Sequence, residues 1–182
     1  MKRFLNLVIT RQSVRRYKPD PVDPEQLKRC LEAARLSPSA SNSQPWTFIV
    51  VNEPTLREKV ARETFSTILS FNKFVLQAPA LVVFVIEKPK LITRIGANIK
   101  NKEYPLIDIG IAAEHFCLQA AEEGLGTCML GWFNEKPIKS MLNIPAKKTI
   151  GLIITLGHPA EGYRLRKKSR KDFDEVVRFN SY

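Results

Sequence analysis

Four short runs, TFIVV (47–51), ALVVFVIE (80–87), TCMLGW (127–132) and TIGLIITLG (149–157), carry the β-branched and aromatic content of buried strands. Stretches with helical periodicity separate them, and strands separated by helices argue for an α/β sandwich, an α+β arrangement of layers. Asp23-Pro24-Glu25-Gln26 opens the first clear helix: Asp23 can cap, Pro24 suits the first turn, and Gln26 stands where a capping box needs it. Leu27, Leu31 and Ala34, with Cys30 beside them, share one face as far as Leu36, and Pro38 stops the helix. Asn52-Glu53-Pro54 closes the first strand and begins a second helical stretch, read here as running through Gln77. Tyr104 to Glu123 is the longest helical pattern. Its apolar residues spread around much of the circumference, as in a central buried helix, and Gly124 and Gly126 mark its end. NEKPIKSMLN gives one more short helix.

At 182 residues, 44% apolar and 26% charged, the chain has the size and composition of one globular domain, with no repeat, linker or second boundary. No apolar run approaches the roughly 18 residues of a membrane span. The N-terminal MKRFLNLVITRQSVRRYK lacks the small-residue cleavage site of a signal peptide, so a cytoplasmic protein that does not enter membrane is expected. Cys30, Cys117 and Cys128 form no C-x-x-C pair and stand beside no histidine cluster; buried small hydrophobes in a reducing compartment are expected, and no metal.

The net charge is +11, from 29 basic and 18 acidic residues, and it suits anions of any kind. Its placement narrows the choice, because basic residues gather at RQSVRRYK near one end and YRLRKKSRK near the other. Either run taken alone reads as solvated surface. Nucleic acid would want interleaved aromatic residues or a recognition helix, and beyond Tyr17 and Tyr163 little is offered, so it is not favoured. A compact phosphate site shared by the two ends is a third reading. SPSASNSQPW (37–46) offers small side chains and several amide and hydroxyl groups, suited to the edges of a planar heterocycle or simply to a helix-stop loop.

The combination is more specific than its parts. RQSVRRYKPDPVDPEQLKRCLEAARLSPSASNSQPWTFIVV (11–51) strongly resembles the start of the nitroreductase family of FMN-dependent oxidoreductases, with its R-x-S-x-R segment, LEAA-x-x-x-PS helix and polar loop ending in QPW. DIGIAAEHFCLQAAEEGLGTCMLGWF (108–133) is similar to the family's central helix and following strand. IPAKKTIGLIITLGHPAE and RKKSRKDFDEVV resemble its last core strand and phosphate-binding tail, so the resemblance covers nearly the whole chain.

The resemblance implies a nitroreductase-like fold with a central, mixed but mainly antiparallel sheet flanked by helices, in an intertwined homodimer with flavin at the interface. It implies FMN as cofactor, NADH or NADPH as electron donor, and a small-molecule acceptor such as a nitroaromatic or quinone. Arg11, Gln12 and Ser13 would meet the FMN phosphate and ribityl chain, and Lys168 and Arg170 would close on the phosphate. Arg15 would lie at the N1–O2 edge of the ring, with Arg16 the open alternative. Pro38, Ser39, Ala40, Ser41 and Asn42 would line the flavin, often from the partner subunit, with Gln44 also in reach. Asn72 matches a position where relatives place an amide against the pyrimidine edge. Met129, Leu130 and Gly131 would run beside N5, a backbone N–H of Leu130 or Gly131 meeting the ring.

No protein acid, base or nucleophile is required, since hydride passes through the flavin. His115 is expected as a hydrogen-bonded core histidine, Asp108 as a group satisfying a helix terminus or partner contact, and Trp46 and Trp132 as packing residues. Two other functions stay in view: a specialised flavin enzyme of the same family, dehalogenating or flavin-fragmenting, and a basic nucleic-acid-binding protein that keeps the fold.

Overall fold

The computed structural model describes residues 3–89 and 102–182. In chain order it contains α1 (Arg3–Thr10), α2 (Pro24–Arg35), a 3-10 turn (Ala40–Asn42), β1 (Trp46–Val51), α3 (Pro54–Arg62) and a second 3-10 turn (Lys73–Gln77). There follow β2 (Ala80–Ile86), α4 (Tyr104–Glu122), β3 (Gly126–Leu130), α5 (Glu135–Met141), β4 (Thr149–Gly157) and α6 (Phe173–Val176).

The four strands form one sheet in the order β1-β2-β4-β3, and every neighbouring pair is antiparallel. Antiparallel sheets often leave one face to water, yet β2 is buried almost throughout, because both faces are covered. Alternation along the strand sorts its side chains: Leu81, Val83 and Val85 join Val60, Val75 and Ile138 on one face, while Val82 and Phe84 join α2 and α4 on the other. Phe84 meets Phe116 of α4 edge-on, with centroids 6.1 Å apart. Truncating so buried a phenylalanine to alanine costs roughly 3–5 kcal/mol.

Local chemistry explains the helix ends and corrects one of them. Asp23 caps α2 by accepting the N–H groups of Glu25 and Gln26 at 2.9 and 3.0 Å. The Gln26 amide donates instead to the Glu123 carbonyl at 3.1 Å, clamping the start of α2 to the end of α4. The helical stretch expected through Gln77 ends at Arg62. Thr64 turns its hydroxyl back to the Ala61 carbonyl, and the Ser66 side chain accepts from Leu69 N–H, so short polar side chains take over the backbone's hydrogen bonding.

An extended N-terminal segment then binds the layers together at the β3–β4 side. Val14 N–H donates to the Thr127 carbonyl at 2.8 Å and Lys18 N–H to the His158 carbonyl at 2.9 Å. Among the described residues the Ser13–Thr127 bridge is the parallel element of an otherwise antiparallel assembly. Two glycines permit this approach: a Cβ on Gly126 would lie 2.7–2.9 Å from Val14 side-chain atoms, and one on Gly157 would lie 3.0 Å from Tyr17 Cδ1.

Candidate functional site

Because Val14 is buried and the segment is extended, Ser13 and Arg15 face the other way, toward the C-terminal tail. There the two chain ends enclose an open cavity of about 280 Å³. Arg11, Gln12, Ser13 and Arg15 form one wall; Arg166, Lys167, Lys168 and Arg170 form the other. Among the described residues its lining thus holds six cations and no carboxylate.

Gln12 stitches the walls together. Its amide donates to the Arg164 carbonyl at 3.3 Å and accepts from Arg166 N–H at 3.1 Å, so a side chain serves as a rung between two extended segments. Arg166 Nη2 donates to the Ser13 carbonyl at 2.5 Å. Tyr163 Oη accepts Arg15 N–H at 3.1 Å. Arg15 lies over the Phe74 ring at 5.8 Å while Arg16 lies over Tyr163 at 5.6 Å, so of this pair Arg15 belongs to the cavity.

Lys168 has a second duty. Its ammonium donates to the carbonyls of Val8, Ile9 and Arg11, the orphan acceptors at the end of α1, which employs all three of its N–H groups. Burial, then the charges of Arg11 and Arg170, lower its pKa. It gives the cavity charge, whereas Arg11 has a donor to spare: buried Arg11 Nε has no hydrogen-bond partner among the described residues, lying 3.4 Å from Glu114 Oε1 in an ion pair without hydrogen-bond geometry. Arg170 is exposed, one N–H meeting the Ser169 carbonyl at 2.8 Å.

The polar loop lies outside this cavity in the single chain. It is sharply folded, with Ser41, Asn42 and Gln44 at φ of 51°, 50° and 48°. Ser39 Oγ accepts Gln44 N–H at 2.9 Å, and the Gln44 amide donates to Asn42 Oδ1 at 3.1 Å. Ala40 N–H donates to Asp108 Oδ1 at 3.0 Å, tying the loop to α4. Asp108 is buried, and its Oδ2 has no hydrogen-bond partner among the described residues. Burial pushes that carboxyl up, against the Ala40 N–H that pulls it down.

Other expected site residues lie outside the basic cavity. Asn72 is buried, and its Nδ2 donates to the carbonyls of Thr64 and Trp132 at 3.0 and 3.3 Å. Met129 is exposed at the end of β3, Leu130 is buried, and the space on the Cβ side of Gly131 is open. Trp46 stacks against Phe48, in keeping with packing. Trp132, expected to pack, is partly exposed and meets exposed Phe71 edge-on at 5.8 Å. His115 is not a core residue: α4 carries it on its exposed side, where Nδ1 pairs with the Ile111 carbonyl at 2.9 Å.

Arg166 and Lys167 escaped the sequence reading. The signal for Arg166 was present, since Arg166, Lys168 and Arg170 recur at every second residue, the spacing that keeps side chains on one side of an extended segment.

An antiparallel sheet buried between helices, with a cation-lined cavity where the chain ends meet, is an α+β architecture whose charge suits an anion. Residues 8–158 match the Nitroreductase family profile, and the chain belongs to that family. It is 32% identical over 189 residues to a putative NADH dehydrogenase/NAD(P)H nitroreductase of Archaeoglobus fulgidus, across 99% of this chain and 95% of that protein. It is 24% identical to an iodotyrosine deiodinase of Thermotoga neapolitana, across 100% of both. An FMN-dependent nitroreductase from Clostridium difficile R20291 superposes with a TM-score of 0.76 at 27% identity, covering 98% of this chain and 99% of that one.

Proposed function

We propose that this protein is an FMN-dependent oxidoreductase that transfers hydride from NADH or NADPH to nitroaromatic, quinone or similar electrophilic acceptors. The observation that carries the reading is the cavity of six cations, built by both chain ends, in a member of this family. The residues fit the cofactor's chemistry: a phosphate dianion suits several charge-assisted donors, and buried Arg11 Nε has no hydrogen-bond partner among the described residues.

Arg11, Ser13 and Arg170 hold the phosphate, Lys168 adds charge while bracing α1, and Gln12 keeps the two walls together. Arg15 supports negative charge at the ring's N1–O2 edge, and the backbone from Met129 to Gly131 borders N5. Bound FMN supplies the hydride chemistry by accepting and releasing hydride at N5. The protein's task is orientation and charge, which is why no acid–base pair is needed.

The chain works as a homodimer of single-domain protomers in the cytoplasm. α1 has no buried residue, exposes Phe4, Leu5, Val8 and Ile9, and is only eight residues long, too short to stand alone. Leu106 and Ile107 of α4 are also exposed. A partner covers these faces, and the loop Pro38–Gln44 completes the partner's flavin site rather than its own.

The test is the visible spectrum of protein loaded with FMN and freed of excess, before and after anaerobic NADH or NADPH. A retained flavin band that bleaches supports the reading; a band that neither nucleotide bleaches refutes the reductase. The full-length likeness to an iodotyrosine deiodinase favours a second reading, reductive dehalogenation at the same flavin. Iodide release from iodotyrosine by the dithionite-reduced protein would select it.

A further inference from the structure

Five of the six cations of the basic cavity fall into two groups by what they touch. Arg11, Lys168 and Arg170 gather at the end of α1: Lys168 caps the helix, and the charges of Arg11 and Arg170 both act on it. Arg15 and Arg166 gather around Ser13. Arg15 follows Ser13 by two residues on the extended segment, and Arg166 holds the Ser13 carbonyl from the tail side at 2.5 Å. Both guanidiniums also act on the buried thiol of Cys128, which lies against Ser13, partly offsetting the rise that burial imposes there.

Arg166 is fixed from two directions. Its backbone N–H is bound to Gln12 Oε1 at 3.1 Å and its guanidinium to the Ser13 carbonyl. One hydrogen bond leaves four of the five guanidinium N–H groups for another acceptor. The side chain is exposed, and among the described residues no carboxylate lines the cavity to neutralise it.

We propose that Arg166 is a second cation for the reduced flavin, joining Arg15 at the N1–O2 edge to set its potential. This rests on the reading of the cavity as a flavin site. Arg11 and Arg170, with the Ser13 hydroxyl, account for the phosphate, while the Arg15–Arg166 pair, set around the Ser13 carbonyl, is open to a second anion. Reduction provides it: the nicotinamide delivers two electrons and one proton at N5, and the ring keeps one negative charge at N1–O2 when it takes up no second proton. Two like charges facing one cavity repel until an anion lies between them, so the pair favours the reduced over the oxidised ring. Because Arg166 comes from the tail and Gln12 fastens the tail, the order of the chain's end becomes a determinant of redox potential.

The experiment is an anaerobic redox titration of FMN-loaded wild type, Arg166→Gln and Arg166→Lys against a dye of known potential, with oxidised FMN and riboflavin affinities measured in parallel. Arg166→Gln is expected to lower the reduced-to-oxidised affinity ratio about tenfold or more, a fall of about 30 mV for a two-electron couple. Arg166→Lys keeps the charge and is expected to keep most of the potential. An unchanged potential in Arg166→Gln with FMN binding weakened and riboflavin binding intact makes Arg166 a phosphate ligand and overturns the proposal. An unchanged potential with both affinities intact makes it a solvent-facing charge and also overturns it. A fall in Arg166→Lys equal to that in Arg166→Gln overturns it in favour of a brace for the tail. Where Arg166→Gln does not fold, Arg166→Met keeps the apolar stem and faces the same criterion. A wild type that retains no flavin overturns the underlying reading, an outcome distinct from all of these.

Discussion

Replacing Gly126 by alanine tests how the basic cavity is held to the sheet. A Cβ at that position would lie 2.7 Å from Val14 Cγ2, 2.8 Å from Val14 Cβ and 2.9 Å from Val14 Cγ1. Rotating the valine moves its methyl groups but not its Cβ, so no rotamer removes the clash and the backbone of the N-terminal segment must retreat. The Val14 N–H to Thr127 carbonyl bond at 2.8 Å is the contact directly exposed to that retreat. Overpacking of this kind costs roughly 1–3 kcal/mol. For a chain of this size each kcal/mol lowers Tm by about 2–4 °C.

The functional consequence follows from position: Ser13 and Arg15 flank Val14, so the displaced segment carries one wall of the cavity with it. Gly126→Ala is therefore expected to lose FMN affinity as well as stability, measured by calorimetric unfolding and by flavin fluorescence on binding. Val14→Gly removes the three clashing atoms, so the double variant should be less destabilised than the sum of the single changes, with a coupling of about 0.5–3 kcal/mol. A Gly126→Ala protein with unaltered Tm and unaltered FMN affinity would refute the reasoning.

Arg11→Gln removes the half-buried guanidinium and is expected to weaken FMN binding about 10- to 100-fold, the worth of a hydrogen bond to a charged group, while riboflavin binding holds; equal losses for both flavins would remove the phosphate role. Asp108 and Glu123 should mark the pH profile of urea unfolding with opposite signs. Burial raises the Asp108 pKa in the folded chain, so stability falls as pH rises from the ordinary aspartate range, about 3.9, through the raised value, and Asp108→Asn should abolish that fall. Arg29 holds Glu123 down to about 2, so its stabilisation is present above the ordinary glutamate range, about 4.3, and is lost as pH falls toward 2; Glu123→Gln should flatten that acid limb. Phe4→Asp, on the exposed face of α1, is expected to give a monomer by sedimentation that no longer retains FMN; a flavin-bearing dimer would move the interface elsewhere.

The sheet was legible because burial on both faces leaves continuous apolar runs, and all four matched strands within a residue or so, apart from the Gly131–Trp132 end of TCMLGW, which lies beyond β3. Their order was not, since β4 inserts between β2 and β3 through contacts distant in sequence. The false helix between Arg62 and the 3-10 turn at Lys73 shows where composition misleads: apolar residues such as Phe65 and Leu69 keep a helical look, while Thr64 and Ser66 divert the backbone. Arg11 and Arg15 were legible as a pair because alternation is a local property. Gln12 as a rung, Lys168 as the cap of α1 and Arg166 on the Ser13 carbonyl were not, because each depends on two chain ends 150 or so positions apart. His115 misled for a related reason: α4 is apolar on many sides, but one of them is left uncovered in the single chain.

That uncovered surface and the polar loop belong to one argument. Ser41, Asn42 and Gln44 each hold a left-handed backbone that non-glycine residues adopt at a cost of order 1 kcal/mol or more. Asparagine tolerates it best; serine and glutamine need outside support. Ser39 Oγ on Gln44 N–H and Asp108 on Ala40 N–H supply it, and the second requires a buried carboxyl whose other oxygen has no hydrogen-bond partner among the described residues. A surface loop that only ended a helix would relax with a glycine or two and would not require a buried acid. This loop instead keeps a fixed shape, presents exposed Ser41, Asn42 and Gln44, and lines no part of its own chain's basic cavity. In the proposed homodimer that shape serves a surface outside the protomer, and exposed Leu106 and Ile107, near Asp108 at the start of α4, give the partner an apolar place to dock beside it. Asp108 thereby joins the two expectations that the sequence left separate, a polar loop facing flavin and a central helix facing a partner.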